Sequence, residues 1–597
     1  MPEARQHARK AFDDPSAPLQ DRIRSGQILA QLERHIYQDL GRAREVTGQL
    51  LSLDPADPDS WLQAVALERD LGHWQRAADL AMERARLEHE NPSDQHDLHI
   101  AFAEITLQEA LRQARRRVQQ GGNFTVLGDR PVRAVSLLEK VLAVDPSRVS
   151  SWLTLYRLAL LSGDGARALT AWSRYLAVEE SGDGKTMLID RSEMRLRQVL
   201  PQWSGGELDE DERVELARGL LDAWTFDVAA IVANTLPPTR LQQEPRLRDG
   251  LAYDAFLQDL EGMCSELYRK SLVSGESRGH EAAFRSRLDR RLEALWNELA
   301  WPAATPRFAR AKLLGELKKR FGTEVRQGSA NGFYSLTWGH AVIAYDLTVE
   351  QYGHRAQLRF TSLDFLVTTG TKAFLRETLT GGVGGWARTA QDIFQVRPGY
   401  ASGPHTAWRK VTDPRERRRT EERLDQERLK DERIARLEPI STPRGLGIRL
   451  MQKAQDDLLA RLQEKGLRGD ALARAYVLEY ERLNFQHSIV AHEGRHAIDK
   501  RLSVAGSLEY RAKLSELAFS EHPFLPLAVI VLSGIQDTPH GRAAETLVRG
   551  LVSWMESHRQ DVAGFDPKQP TVLQLDRLSA EQLRMIARSL DPLAPRS

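Results

Sequence analysis

The chain has 597 residues, one cysteine (Cys264) and 84 Lys and Arg against 83 Asp and Glu, for a formal net charge of +1. That balance excludes the basic excess of a nucleic-acid binder that works by counterion release, and one thiol excludes an intramolecular disulfide framework and a multi-thiolate metal site. Hydrophobic residues at 41% and charged residues at 28% describe a chain that can bury cores, with length for about three or four domains or a repeat array plus a compact domain.

Met1 to Asp14 is polar and charged, without an apolar stretch of signal-peptide length, and this predicts a cytoplasmic protein. Further on, Asp54, Pro55, Trp61, Gly72 and Ala77 are matched at the same spacings by Asp145, Pro146, Trp152, Gly163 and Ala168. Each set reads as a helical hairpin: Pro starts a segment, Trp anchors the first helix, Gly turns the chain, and Ala lets the second helix approach closely. The pattern resembles tetratricopeptide repeats, which implies an α-solenoid over residues 1–205 that recruits a protein partner. The two tryptophans stand 91 residues apart, off the family's period of about 34, and the glycine-bearing stretch Gln119 to Pro131 is the expected insertion.

Residues 206–303 read as an irregular helical extension, closed by Pro302 and Pro306, with Ala223 to Pro237 as a degenerate further hairpin. Residues 304–597 form the other part. There, alternation and apolar runs between Gly332 and Gly370, around Gly353, predict strand, turn and strand. The loop Gly381 to Trp386 has neither a phosphate-loop nor a dinucleotide fingerprint; it is either a surface loop or a flap with Trp386 as an apolar lid over substrate. Mixed charges over residues 413–438 predict an exposed helical insertion held by i,i+4 pairs. The longest largely apolar run, Phe524 to Ile535, is 12 residues with Pro526 inside, too short to span a bilayer, and predicts a core helix.

The chemistry concentrates at Ala491-His492-Glu493-Gly494-Arg495-His496-Ala497-Ile498-Asp499. On a helix, His492 and His496 project from one face and can share one zinc ion. Glu493 then sits beside the metal, placed to take a proton from an activated water as general base. Asp499 is a candidate second carboxylate that fixes the tautomer of a ligand histidine. A third ligand is expected downstream, where Ser503 to Ser507 breaks the helix and Leu508 starts another. Glu509 and Glu516, seven apart, share a face of that helix, and both are candidates.

His492 to His496 followed by a glutamate on the next helix resembles the gluzincin zinc metallopeptidases. Glu509-Tyr510-Arg511-Ala512 looks like the Glu-x-x-Ala ligand segment of several gluzincin families, and His496 to Asp499 matches their His-x-x-Asp continuation. Glu516 instead fits the thermolysin-like spacing. Glu509 is preferred on its local motif. The resemblance implies a zincin-like domain, a bound Zn2+, a protein or peptide substrate, and a His or Tyr that stabilises the oxyanion. His540 oriented by Asp537 is one candidate for that role and Tyr510 the other. Arg495 departs from the motif's preference for uncharged residues: turned away and paired with a carboxylate it leaves the metal undisturbed, whereas beside the metal it lowers affinity.

The expected fold class is therefore mainly α with a smaller α+β part, a repeat-like solenoid followed by a zincin-like domain. The expected function is zinc-dependent peptide hydrolysis, with no nucleic acid and no membrane span. The competing expectation is a scaffold whose zincin-like domain is structural or degenerate, and hydrolysis of an amide in a cell-wall fragment is a third.

Overall fold

A computed structural model of the chain describes residues 2–87, 92–126, 128–146, 148–177, 186–187, 190–203, 208–274, 278–299, 307–330, 333–368, 385–387, 389, 391–437, 443–502, 507–534 and 538–594. The chain is mostly helical with a small sheet, as the composition and periodicity predict. It divides into two compact units, one of Met1–Glu180, Met187–Ile343 and Leu363–Gly381, the other of Ser181–Thr186, Ala344–Ser362 and Gly382–Ser597.

In the first unit the two matched segments fold alike in detail. They form the hairpins Pro58–Asp70 with Trp74–Leu87 and Val149–Leu161 with Gly165–Ala177. In both, the anchoring tryptophan donates its indole N–H to the carbonyl of the preceding proline, Trp61 to Pro55 at 2.9 Å and Trp152 to Pro146 at 2.8 Å. Both first helices end on a left-handed glycine, Gly72 at φ +79° and Gly163 at φ +76°. There a side chain would be strained, and the following N–H reaches back to an otherwise orphaned carbonyl, His73 to Glu68 and Asp164 to Ala159, each at 2.9 Å. Ala77 and Ala168 are completely buried where the paired helices meet. The loss of period has a different origin from the expected glycine insertion. A 28-residue helix, Pro92–Gln119, and a second, Asp129–Val144, stand between the hairpins, and the glycine stretch only joins those two.

The described strands are β1 (Thr186–Met187), β2 (Thr323–Ala330), β3 (Phe333–Gln351), β4 (His354–Thr368), β5 (Gly385–Ala387) and β6 (Asp392–Val396). Their order is β1-β3-β4-β6-β5, with β2 paired to β3 outside that path. β2 and β3 are antiparallel from Thr323 opposite His340 to Ala330 opposite Phe333. β3 turns into β4 through Tyr352 and Gly353, both at positive φ (50° and 77°), the two-residue turn whose twist suits a hairpin.

The second unit buries one large apolar cluster. Helix Phe524–Ser533 gives it Leu525, Leu527, Ala528, Ile530 and Val531, as expected of the apolar run, and Pro526 falls within its first turn, where no backbone donor is lost. Helices Arg444–Glu464, Gly469–Asn484, Leu508–Ala518 and Pro539–Ser557 pack around it. The charged stretch is the helix Pro414–Leu437. Among the described residues no helix is long and apolar enough to cross a membrane.

Candidate metal centre

The histidine pair lies on the helix Ala491–Leu502, which continues from a π-helical turn, Phe485–Val490. Ala491, Ala497 and Ile498 bury one side of the histidine helix. Gly494 permits its close approach to β3: a Cβ there would fall 2.4 Å from the Val349 side chain. Gln351, at the end of β3, donates to the Ala491 carbonyl at 2.8 Å and accepts from the Ser515 hydroxyl at 3.1 Å, tying the histidine helix to the helix Leu508–Ala518. The glutamate helix, Leu508–Ala518, starts on a Ser507 cap whose oxygen accepts from the Tyr510 N–H at 3.3 Å.

These elements bring His492, His496 and Glu509 into one cluster. The two Nε2 atoms are 3.0 Å apart, His492 Nε2 is 3.3 Å from a Glu509 oxygen, and His496 Nε2 is 3.6 Å from the other. The imidazoles are 12% exposed and Glu509 is 24% exposed, so the centre is largely enclosed. Glu516 occupies a different place from a third ligand. It meets the far side of His492, whose Nδ1–H donates to Glu516 Oε1 at 2.7 Å, while Ser488 donates to Glu516 Oε2 at 2.8 Å. A carboxylate accepts only, so this contact keeps the His492 proton on Nδ1 and turns the Nε2 lone pair toward His496 and Glu509. Spacing along the sequence does not separate these roles, because the ring of His492 spans the distance between the two glutamates.

The electrostatics are those of a cation site. Burial works against the His492 imidazolium, but Glu509, Glu516 and the charge of Glu493 outweigh it and push the ring up to about 10. Burial would likewise raise Glu509, and its three histidine neighbours instead hold it far below the usual carboxylate range. Glu509 Oε2 and His496 Nδ1 are buried atoms without a partner in hydrogen-bond geometry. Zinc accepts N and O ligands at about 2.0–2.2 Å, which sets tetrahedral ligand atoms about 3.3 Å apart. The observed separations of 3.0, 3.3 and 3.6 Å bracket that value, so the residues present fit the ion.

Glu493 is half-buried next to His492, and among the described residues its carboxylate has no hydrogen-bond partner. His540 is exposed at the start of its helix, with Nδ1 2.8 Å from Glu509 Oε2 and its ring stacked near that of His492. Asp537 lies outside the described residues. Asp499 departs from its expected place on a ligand histidine. It is completely buried on another side of the helix, accepting from Arg495 Nε at 2.8 Å and Arg511 Nε at 2.7 Å. The reason is Arg495, which turns away from the metal ligands and forms a bidentate pair with Asp591 at 2.6 and 2.7 Å. Tyr510 is drawn elsewhere too: one position past Glu509, it packs on the apolar core of the unit, and the structure does not bring it to the histidines. Trp386 lies in β5 opposite Phe394, and the rest of the expected flap, Gly381 to Gly384, is outside the described residues.

The chain matches no protein-family model and no curated protein. The centre therefore has to be read from its own atoms. Spacing had missed two contributors, Ser488 and Asp591. Ser488 stands four residues before His492, the interval that puts two helical side chains on one face, so a signal for it existed. Asp591 is 96 residues from Arg495, and no local pattern points to it.

Proposed function

We propose that this chain is a zinc-dependent metallopeptidase, with His492, His496 and Glu509 as the ligands. The observation that carries the reading is the convergence of two imidazole nitrogens and a carboxylate, 3.0 to 3.6 Å apart, beside a glutamate with no hydrogen-bond partner. Bound by these residues, zinc supplies Lewis acidity to a substrate carbonyl and to a water molecule. Glu516 holds the proton of His492 on Nδ1, and Ser488 orients Glu516 in turn. Glu493 accepts the proton released when water attacks the carbonyl and returns it to the departing amine. His540 stands against Glu509 with Nδ1 2.8 Å from Oε2, so its exposed Nε2 can donate to the developing oxyanion only when both ring nitrogens carry protons.

The scaffold reading rested on Arg495 as a cation next to zinc. Its pairing with Asp499 and Asp591 removes that ground. The two alike hairpins of the first unit support a recruiting role for that part, as helical repeats bind partners on their stacked faces. Glu493→Gln is the test: it retains one zinc per chain by elemental analysis and loses peptidase activity on unfolded casein by at least about a thousandfold. Equal turnover in that variant removes Glu493 from the chemistry, and absence of zinc from the parent protein overturns the reading.

A further inference from the structure

The glutamate helix carries another charged residue on the face that meets His492. Glu509, Lys513 and Glu516 follow one another at intervals of four and three, which aligns them in one stripe. His492 lies along that stripe, 3.3 Å from Glu509 at Nε2 and 2.7 Å from Glu516 at Nδ1, so the position between the two glutamates is on the imidazole side of the helix. Lys513 is only 4% exposed. Its charge reaches Glu516. Yet among the described residues it makes no hydrogen bond and no ion pair. The other buried cations of this helix pair are matched, Arg495 by Asp591 and Asp499, and Arg511 by Asp499. Its stem is enclosed while its nitrogen is not among the fully buried atoms, and both neighbouring carboxylates are already engaged by histidines. Three donors on a compact point charge remain for an incoming anion.

We propose that Lys513 is the recognition point for a substrate carboxylate beside the metal centre. The carboxylate comes from a peptide's C-terminus or from an acidic side chain, and the enzyme prefers peptides that carry one near the cleaved bond. This rests on the peptidase reading and names its substrate class.

The test uses the full-length, zinc-loaded Glu493→Gln protein and three acetylated alanine pentapeptides: one with a free C-terminus, one amidated, and one amidated with a central glutamate. Binding by calorimetry is expected to be at least about tenfold tighter for one of the charged peptides than for the neutral one, as for a hydrogen bond to a charged group. Which charged peptide gains identifies the source of the carboxylate. Lys513→Met keeps an unbranched stem; in the Glu493→Gln background it should hold its zinc and bind all three peptides alike. Equal binding of the three by the Lys513 protein, no binding of any, or an undiminished advantage in Lys513→Met overturns the proposal. Hydrolysis of casein by the parent protein is measured alongside. If it depends on Glu493 while the carboxylate preference is absent, Lys513 loses its role and the peptidase reading stands; if it is absent, the peptidase reading itself fails.

Discussion

The histidine helix has two charged faces that solve burial in opposite ways. On one, Arg495, Asp499 and Asp591 are fully enclosed, and Arg511 nearly so, with guanidinium and carboxylate groups matched at 2.6 to 2.8 Å. On the other, the Nε2 atoms of His492 and His496 and the carboxylate of Glu509 converge on one point, with negative charge that favours a cation there. A closed network has no capacity for a ligand; it can only hold the helix still. An incomplete network on the same helix has that capacity. The contrast gives the closed face a purpose: it fixes the backbone from which His492 and His496 project.

Breaking the closed face has the largest expected effect. Asp591→Ala leaves a buried guanidinium with half its counter-charge and should lower stability by about 3–5 kcal/mol, read from urea unfolding of the metal-free protein. Arg495→Met combined with Asp591→Leu removes both charges, and should recover most of that loss. A shift below about 1 kcal/mol in Asp591→Ala would show that the pair does not hold the helix.

On the open face, Glu516→Ala removes the carboxylate that fixes His492 Nδ1 while all three ligands remain. Zinc affinity should fall by about ten- to a hundredfold, as for other partners of ligand histidines, with Ser488→Ala giving a smaller loss in the same direction. Glu516→Ala with unchanged affinity would place the glutamate outside the site's function.

A buried histidine in the first unit supplies a neutral contrast to both faces. His340 accepts from or donates to the Tyr253 hydroxyl at 2.9 Å, while Tyr253 also receives the Trp338 indole N–H at 2.8 Å. Burial pushes the His340 imidazole down to about 3. The unfolded chain takes up a proton there as pH falls through about 6.5, and the folded chain does not until far lower. Stability should therefore fall with acid between those values, by up to about 1.4 kcal/mol per pH unit from this residue. His340→Gln should flatten that part of the stability curve relative to the parent; an unchanged slope would assign the acid sensitivity elsewhere.

Several elements are legible in the amino-acid sequence alone. Trp61 and Trp152 marked two hairpins because a proline, an indole and a left-handed glycine at repeated spacings impose the same local geometry. The pair His492 and His496 was visible because helical periodicity decides which residues share a face. The assignment of Glu509 against Glu516 was less accessible: both lie on one stripe, and only the axial position of the second helix relative to His492 separates a metal-facing oxygen from one on Nδ1. The role of Asp499 was misjudged for a related reason. A neighbouring arginine competes for the same carboxylate, and its other anchor, Asp591, comes from the far end of the sequence. Gln351, from β3, was hidden in the same way by distance along the chain.

The most direct test of the account is zinc content, measured by elemental analysis on the full-length protein and on single variants after dialysis against trace zinc. The parent protein, Glu493→Gln and Glu516→Ala should each approach one zinc per chain when zinc is in excess, while His492→Ala, His496→Ala and Glu509→Ala should retain almost none. Zinc bound at full stoichiometry by Glu509→Ala, or none in the parent protein, would contradict it.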